Sequence, residues 1–201
     1  MRVIVAGIPR CGTTYLWRCL SGHDAIDIAH SYSGTVIKTH SYAPLHLIGF
    51  RAIFMFGDIV NAVISTQLHA ITLPHFINCG IFDIENADIY SKDLLNYEKM
   101  FDSWNRYNGY PVLMLRYETC WQYRELISDF LEQEITLLPF IERSTKQNCI
   151  QPDLIDKTKH TYKELIEKVN KMPDYKLIYR WRDDPWKYLF DKINQYEISE
   201  G

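Results

Sequence analysis

Val3-Ile4-Val5-Ala6-Gly7-Ile8-Pro9-Arg10-Cys11-Gly12-Thr13-Thr14-Tyr15 is an apolar run that breaks into a glycine-bracketed turn and then resumes with helical spacing. That is the outline of a phosphate-binding loop between a strand and a helix. Such a loop works because successive backbone N–H groups and the positive end of the following helix converge on one anion. The ATP-binding version reads G-x-x-x-x-G-K-[ST]. Here Gly7 and Gly12 have the matching separation, Thr13 stands where the lysine would be, and the turn's cation is Arg10.

Outward from the loop, the chain alternates strand and helix patterns. Tyr15, Leu16, Cys19 and Leu20 give the helical face of the first βα unit. The run Thr35-Val36-Ile37-Lys38-Thr39-His40 predicts a short strand with its chemistry at its carboxyl end, the edge where ligands bind in open α/β sheets. Ala52 to Phe56 reads as a strand buried on both faces, followed by Gly57, an Asp58 N-cap and a helix from Ile59 to about His69. Residues 70–90 contain an irregular aromatic and apolar stretch, expected to be a lid or loop at an acceptor site. Tyr90, Leu94, Tyr97, Phe101 and Trp104 predict one amphipathic helix with a core-facing stripe. Pro111 to Leu115 is a fourth buried strand, ending in Arg116-Tyr117-Glu118. Residues 120–134 read as helix, the region from there through Lys159 gives no clear pattern, and Asp184-Pro185 starts a final helix carrying Trp186, Leu189, Phe190, Ile193 and Tyr196. Four buried strands alternating with helices predict an α/β fold, a three-layer P-loop type with a mainly parallel central sheet flanked by helices.

Composition bounds the function classes. The 201 residues, 47% of them hydrophobic, suit a single domain over 1–201. With 22 basic against 25 acidic residues, the formal charge of -3 lacks the basic excess of a nucleic-acid binder. The odd, dispersed cysteines (Cys11, Cys19, Cys79, Cys120 and Cys149) suggest neither a disulfide framework nor a zinc site, so reduced thiols in a cytoplasmic protein are expected. No apolar run is long enough to span a bilayer, and the histidines show no metal-ligand spacing.

Three features in order, Pro9-Arg10-Cys11-Gly12-Thr13-Thr14-Tyr15, the strand end Lys38-Thr39-His40, and a strand-then-helix unit closing in Val63-Ile64-Ser65, resemble the sulfotransferase family. That family moves a sulfuryl group from 3′-phosphoadenosine 5′-phosphosulfate (PAPS) to an acceptor. Its loop reads P-[KR]-S-G-T-T-W, from which this chain differs at Cys11 and Tyr15. Arg116-Tyr117-Glu118 and Asp184-Pro185-Trp186-Lys187 extend the resemblance over most of the chain. It implies a PAPS donor site formed by Arg10, Cys11, Gly12, Thr13, Thr14 and Tyr15. Tyr15 and Tyr117 would face the adenine and Ser65 the 3′-phosphate. The acceptor would be a hydroxyl, or an amine, of a small molecule or glycan.

The chemistry gives separate reasons for these residue types. Sulfuryl transfer, like phosphoryl transfer, depends mostly on alignment and charge stabilisation, and the lower charge of the sulfuryl group lets side-chain cations replace a metal. Arg10 suits the bridging oxygen of the departing nucleotide, Lys38 the transferred group, and His40 the acceptor's proton as general base. Each residue also has a plainer reading. The loop could be a turn closing a βα unit, Lys38 a solvated strand end, His40 an ordinary polar residue, Ser65 an unremarkable helical serine, and the two tyrosines core.

One departure stands out. Aligned on Ser65, the family's R-N-P-x-D-x-x-x-S puts Gly57 where an arginine would clamp the 3′-phosphate. Either another cation substitutes, with Arg180 and Arg182 ahead of Arg51 and Arg116, or the donor is a different nucleotide. Two other readings stay open: a P-loop phosphotransferase or nucleotide kinase with Asp58 on magnesium, and a nucleotide-binding module without catalysis.

Overall fold

Short runs of β-branched and aliphatic residues form the centre of the molecule, because side chains of that shape pack well on a pleated, doubly covered surface. The computed structural model describes residues 2–21, 32–33, 35–68, 82, 88–139 and 150–179. The strands are β1 (Arg2–Gly7), β2 (Tyr32–Ser33), β3 (Val36–Thr39), β4 (Phe50–Phe56), β5 (Val112–Arg116) and β6 (Tyr175–Ile178). The helices are α1 (Thr13–Ser21), α2 (Ile59–Leu68), α3 (Tyr97–Trp104), α4 (Arg124–Leu131), α5 (Pro152–Thr161) and α6 (Lys163–Lys171), with a 3₁₀ segment over Tyr117–Tyr123.

The strands form one sheet in the order β2-β3-β1-β4-β5-β6. β3, β1, β4 and β5 run parallel, and β2 and β6 are antiparallel additions at the two edges. Gly7, Thr39, Phe56 and Arg116 therefore end their strands on the same side of the sheet. From β1 the chain goes first to β3 on one flank and then to β4 on the other. That reversal makes the β1/β4 boundary the sheet's topological switch point, where ligands of open α/β sheets bind.

Alternate strand residues feed two separate cores. Val3, Val5, Val36, Ile53, Met55, Leu113 and Leu115 pack with Leu16 and Trp17 of α1 and with Leu126, Ile127, Phe130 and Leu131 of α4. Ile4, Ala6, Ala52, Phe54, Phe56, Val112 and Met114 pack with α2, α3 and the Leu165 and Val169 face of α6. Burying each large apolar side chain contributes about 1.5–3 kcal/mol. The two faces together thus fix the strand register, since a one-residue slip would exchange the two sets. The expected α/β fold with a mainly parallel sheet is what the chain adopts.

Three local expectations need correction. The stripe from Tyr90 to Trp104 is not one helix: α3 begins only at Tyr97. Asp93 caps it by accepting from the N–H groups of Tyr97 (2.8 Å) and Glu98 (3.0 Å), and Asp88 holds a separate turn through the N–H groups of Tyr90 and Ser91. Side chains that satisfy backbone donors in turns compete with helix, and these two aspartates win. Tyr97, Phe101 and Trp104 do face the core. The helix read over 120–134 is a 3₁₀ turn followed by α4, which closes at Glu132 in a left-handed conformation (φ 49°). The stretch without clear pattern contains α5, started by Pro152 at its first turn.

The expected final helix from Asp184 lies outside the described residues, as does nearly all of the expected 70–90 lid. Among the described residues, no helix is long and apolar enough to cross a membrane.

Candidate active site

The turn after β1 owes its shape to two residues in the left-handed region, Arg10 (φ 70°) and Gly12 (φ 81°). Backbone of this kind turns successive N–H groups toward one side and makes an anion-sized hollow. The first turn of α1, beginning at Thr13, adds the positive end of its dipole. Gly12 has a second reason to lack a side chain, since a Cβ would fall 2.1 Å from Tyr117 Cδ2. An arginine with positive φ is strained by about 1–3 kcal/mol, and such strain clusters at functional sites. Here it accompanies a specific contact: Arg10 Nε donates to Ser65 Oγ at 3.1 Å, linking the loop to α2.

β3 supplies the other side. Parallel pairing sets Val5 against Lys38 and Ala6 against Thr39, which carries His40 to the carboxyl edge beside Gly7. Lys38 Nζ donates to Thr14 Oγ1 at 2.7 Å and is 2% exposed. His40 is 3% exposed, with Nδ1 2.8 Å from the Gly7 carbonyl and Nε2 3.4 Å from Thr13 Oγ1. A carbonyl can only accept, so Nδ1 carries the proton and the lone pair of the neutral ring lies on Nε2, toward Thr13.

β4 and β5 close the site from the far side. α2 starts after Asp58, which accepts from the N–H of Asn61 (2.9 Å), the expected N-cap, and from Asn61 Nδ2 (2.9 Å). The Tyr117 ring lies against Gly12, and the next residue, Glu118, lies against Gly57. A Cβ at Gly57 would sit 2.5 Å from Glu118 Oε1 and 2.8 Å from Oε2. Oε1 also accepts from the Asp58 N–H at 2.8 Å. A carboxylate therefore covers the position where an arginine was looked for.

Arg10, Gly12, Thr13, Thr14, Lys38, His40, Ser65 and Tyr117 are thus brought together by direct contacts, with buried Cys11 inside the same turn. Tyr15 is directed elsewhere: its hydroxyl donates to the Leu138 carbonyl (2.8 Å), and its ring packs against the α1 and α4 core. Arg51 and Arg116 are both committed to structure. Arg51 donates to the Phe130 carbonyl (2.7 Å) and pairs with Glu132 (3.0 Å). Arg116 donates to the carbonyls of Val169 and Met172 (2.8 Å each) at the end of α6, pairs with Asp174 (3.0 Å) and lies over the Phe56 ring. Arg180 and Arg182 lie outside the described residues. The charged group at this edge to which sequence reasoning gave no role is Glu118. Its signal was its place just past a strand's carboxyl end, beside a tyrosine already singled out.

Among the described residues, no group of three or more His, Cys, Asp or Glu side chains is arranged to hold a metal ion. In the core shared by α1 and α4, burial is the main cause that pushes the Cys120 thiol up to about 12, with the nearby Cys19 adding to it. Raising a thiol's pKa removes thiolate, the reactive form. Cys120 is accordingly expected to resist iodoacetamide at about pH 8 in the folded chain and to react within minutes in denaturant, read by peptide mass mapping. Prompt labelling of the folded chain would contradict this burial.

No protein-family model matches the chain, and no curated protein matches it. Fold and site together define an α/β protein with a mainly parallel sheet. A glycine turn, a lysine and a histidine meet at its carboxyl edge.

Proposed function

We propose that the chain is a sulfotransferase of the three-layer P-loop type, moving a sulfuryl group from an adenosine 5′-phosphosulfate donor to an acceptor hydroxyl or amine. PAPS is the donor that the family resemblance implies. The observation that carries the reading is the meeting of Lys38 and His40 with consecutive residues of the loop, Thr14 and Thr13, while Arg10 crosses the loop to Ser65. A mere turn closing a βα unit needs none of these contacts.

In this reading the N–H groups of Gly12, Thr13 and Thr14 hold the 5′-phosphate. His40 Nε2, once its 3.4 Å contact with Thr13 Oγ1 gives way, takes the acceptor's proton as the acceptor oxygen bonds to sulfur. The bond from sulfur to the bridging oxygen breaks, and Arg10 stabilises the charge that grows there. An ammonium as buried as Lys38 acts strongly on an oxyanion, because little water screens it. Tyr117, which lies against Gly12, would bound the nucleoside side of the loop, whereas Tyr15 would need to leave Leu138 to stack on adenine.

The phosphotransferase alternative would use Asp58 for magnesium, through the lone pair that each carboxylate oxygen keeps beside its hydrogen bond from Asn61. Calorimetry with AMP, adenosine 3′,5′-bisphosphate and ATP, each with and without magnesium, separates the two. At least one of the first two, the nucleotide products of sulfuryl transfer, is expected to bind at least about tenfold tighter than ATP with magnesium. Its affinity should not depend on the metal. Tighter, magnesium-dependent ATP binding would overturn the assignment.

A further inference from the structure

The carboxylate over Gly57 bears on which nucleotide the loop receives. Tyr117 and Glu118 are consecutive, and they cover the glycines at the carboxyl ends of the two strands that flank the switch point, Gly12 after β1 and Gly57 after β4. A nucleotide whose 5′-phosphate lies in the loop and whose sugar follows Tyr117 would meet Glu118 next. Glu118 is an exposed residue, so a ligand can reach it, and its Oε1 accepts from the Asp58 N–H at 2.8 Å. Its position depends on Gly57 having no side chain, because both oxygens come closer to a Cβ there than real contacts allow.

A carboxylate is acceptor-only: it takes hydrogen bonds from hydroxyls and repels phosphate. The same exchange of acid for arginine separates dinucleotide sites that take a free ribose hydroxyl from those that take a phosphorylated one. Among the described residues, Arg116, two positions before Glu118, is turned to the carbonyls of Val169 and Met172 and to Asp174.

We infer that Glu118 selects a nucleotide whose ribose hydroxyls are free over one phosphorylated at the 3′ position, so that the donor class is a nucleoside 5′-phosphosulfate without a 3′-phosphate. This rests on the loop binding a nucleotide 5′-phosphate, as proposed above. Asp58 and Glu118 then form one built edge, with the Asp58 backbone aiming Glu118 and Glu118 reading the ribose.

Titration of the full chain with AMP and with adenosine 3′,5′-bisphosphate, in the absence of metal, tests it. AMP is expected to bind at least about tenfold tighter, the worth of one hydrogen bond to a charged acceptor. Glu118→Gln keeps an oxygen for the Asp58 N–H, so its thermal midpoint should match that of the native chain. Its preference for AMP should fall to within about threefold, mainly through tighter binding of the bisphosphate. Tighter binding of the bisphosphate to the native chain, or a preference that Glu118→Gln leaves intact, overturns the role of Glu118 and spares the loop reading. If neither nucleotide binds, the loop reading itself fails and takes this inference with it.

Discussion

Replacing His40 with alanine should lower sulfuryl-transfer turnover by about 10²-fold or more while changing nucleotide affinity far less, because a general base acts mainly in the transition state. The structure adds a complication that the sequence did not reveal. The ring also props the loop, donating from Nδ1 to the Gly7 carbonyl at 2.8 Å. Alanine would leave that buried acceptor unsatisfied, at a cost of about 1–3 kcal/mol, and part of any lost activity would then be lost loop geometry. Asparagine separates the two effects. Its side-chain amide can replace the Nδ1 donor toward Gly7, but it offers no basic nitrogen toward Thr13. Thermal unfolding of His40→Asn is expected near that of the native chain and well above that of His40→Ala, with turnover low in both. Restored turnover in the asparagine variant would make His40 a strut and remove it from proton transfer.

The largest effect on stability is expected at Trp104. The residue is fully buried, stacked on Phe54 with centroids 5.7 Å apart and edge-on to Tyr110 at 6.5 Å. Its indole N–H donates to the Ser41 carbonyl at 3.0 Å, immediately after His40. Trp104→Ala should destabilise by about 3–5 kcal/mol, the usual cost of emptying a large aromatic site. That is a large part of the 5–15 kcal/mol typical of a domain. Trp104→Phe keeps most of the ring contact and gives up the hydrogen bond, so a loss of about 1–2 kcal/mol is expected. Urea midpoints should fall in the order native, phenylalanine, alanine. An alanine variant within about 1 kcal/mol of the native chain would show that this core can collapse around the gap. The same residue ties the second core to the chain just after His40, so nucleotide titration of the folded phenylalanine variant would show how far packing there reaches the loop.

Strands and loop were legible because their signals are local. A run such as Ile53-Phe54-Met55-Phe56 can hide all its side chains only between two covered faces, and Asp58 before a helical pattern offers its own cap. The helix boundary at Tyr97 was hidden because apolar spacing continues back to Tyr90 while Asp88 and Asp93 take the backbone donors. β6 was missed because an antiparallel edge strand of three half-buried residues and one exposed lysine carries little periodic signal, and its place is set by pairing with β5. Of the site, the sequence supplied the residue types, and the contacts among them came from register. Lys38 meets Thr14 across 24 positions, His40 meets Thr13 across 27, Arg10 meets Ser65 across 55, and Glu118 meets Asp58 across 60.

Glu118 is the plainest case. The alignment of motifs exposed an absent arginine at Gly57, since an absence can be read along a chain. That a carboxylate fills the space could not be read there, because β4 and β5 must first pair, with Phe56 opposite Arg116, before the residues beyond them can meet. Local propensity and apolar period thus wrote the strands, the turn and the order of elements into the sequence. Which charged groups face one another across the carboxyl edge was settled only by the parallel pairing of strands far apart in the chain.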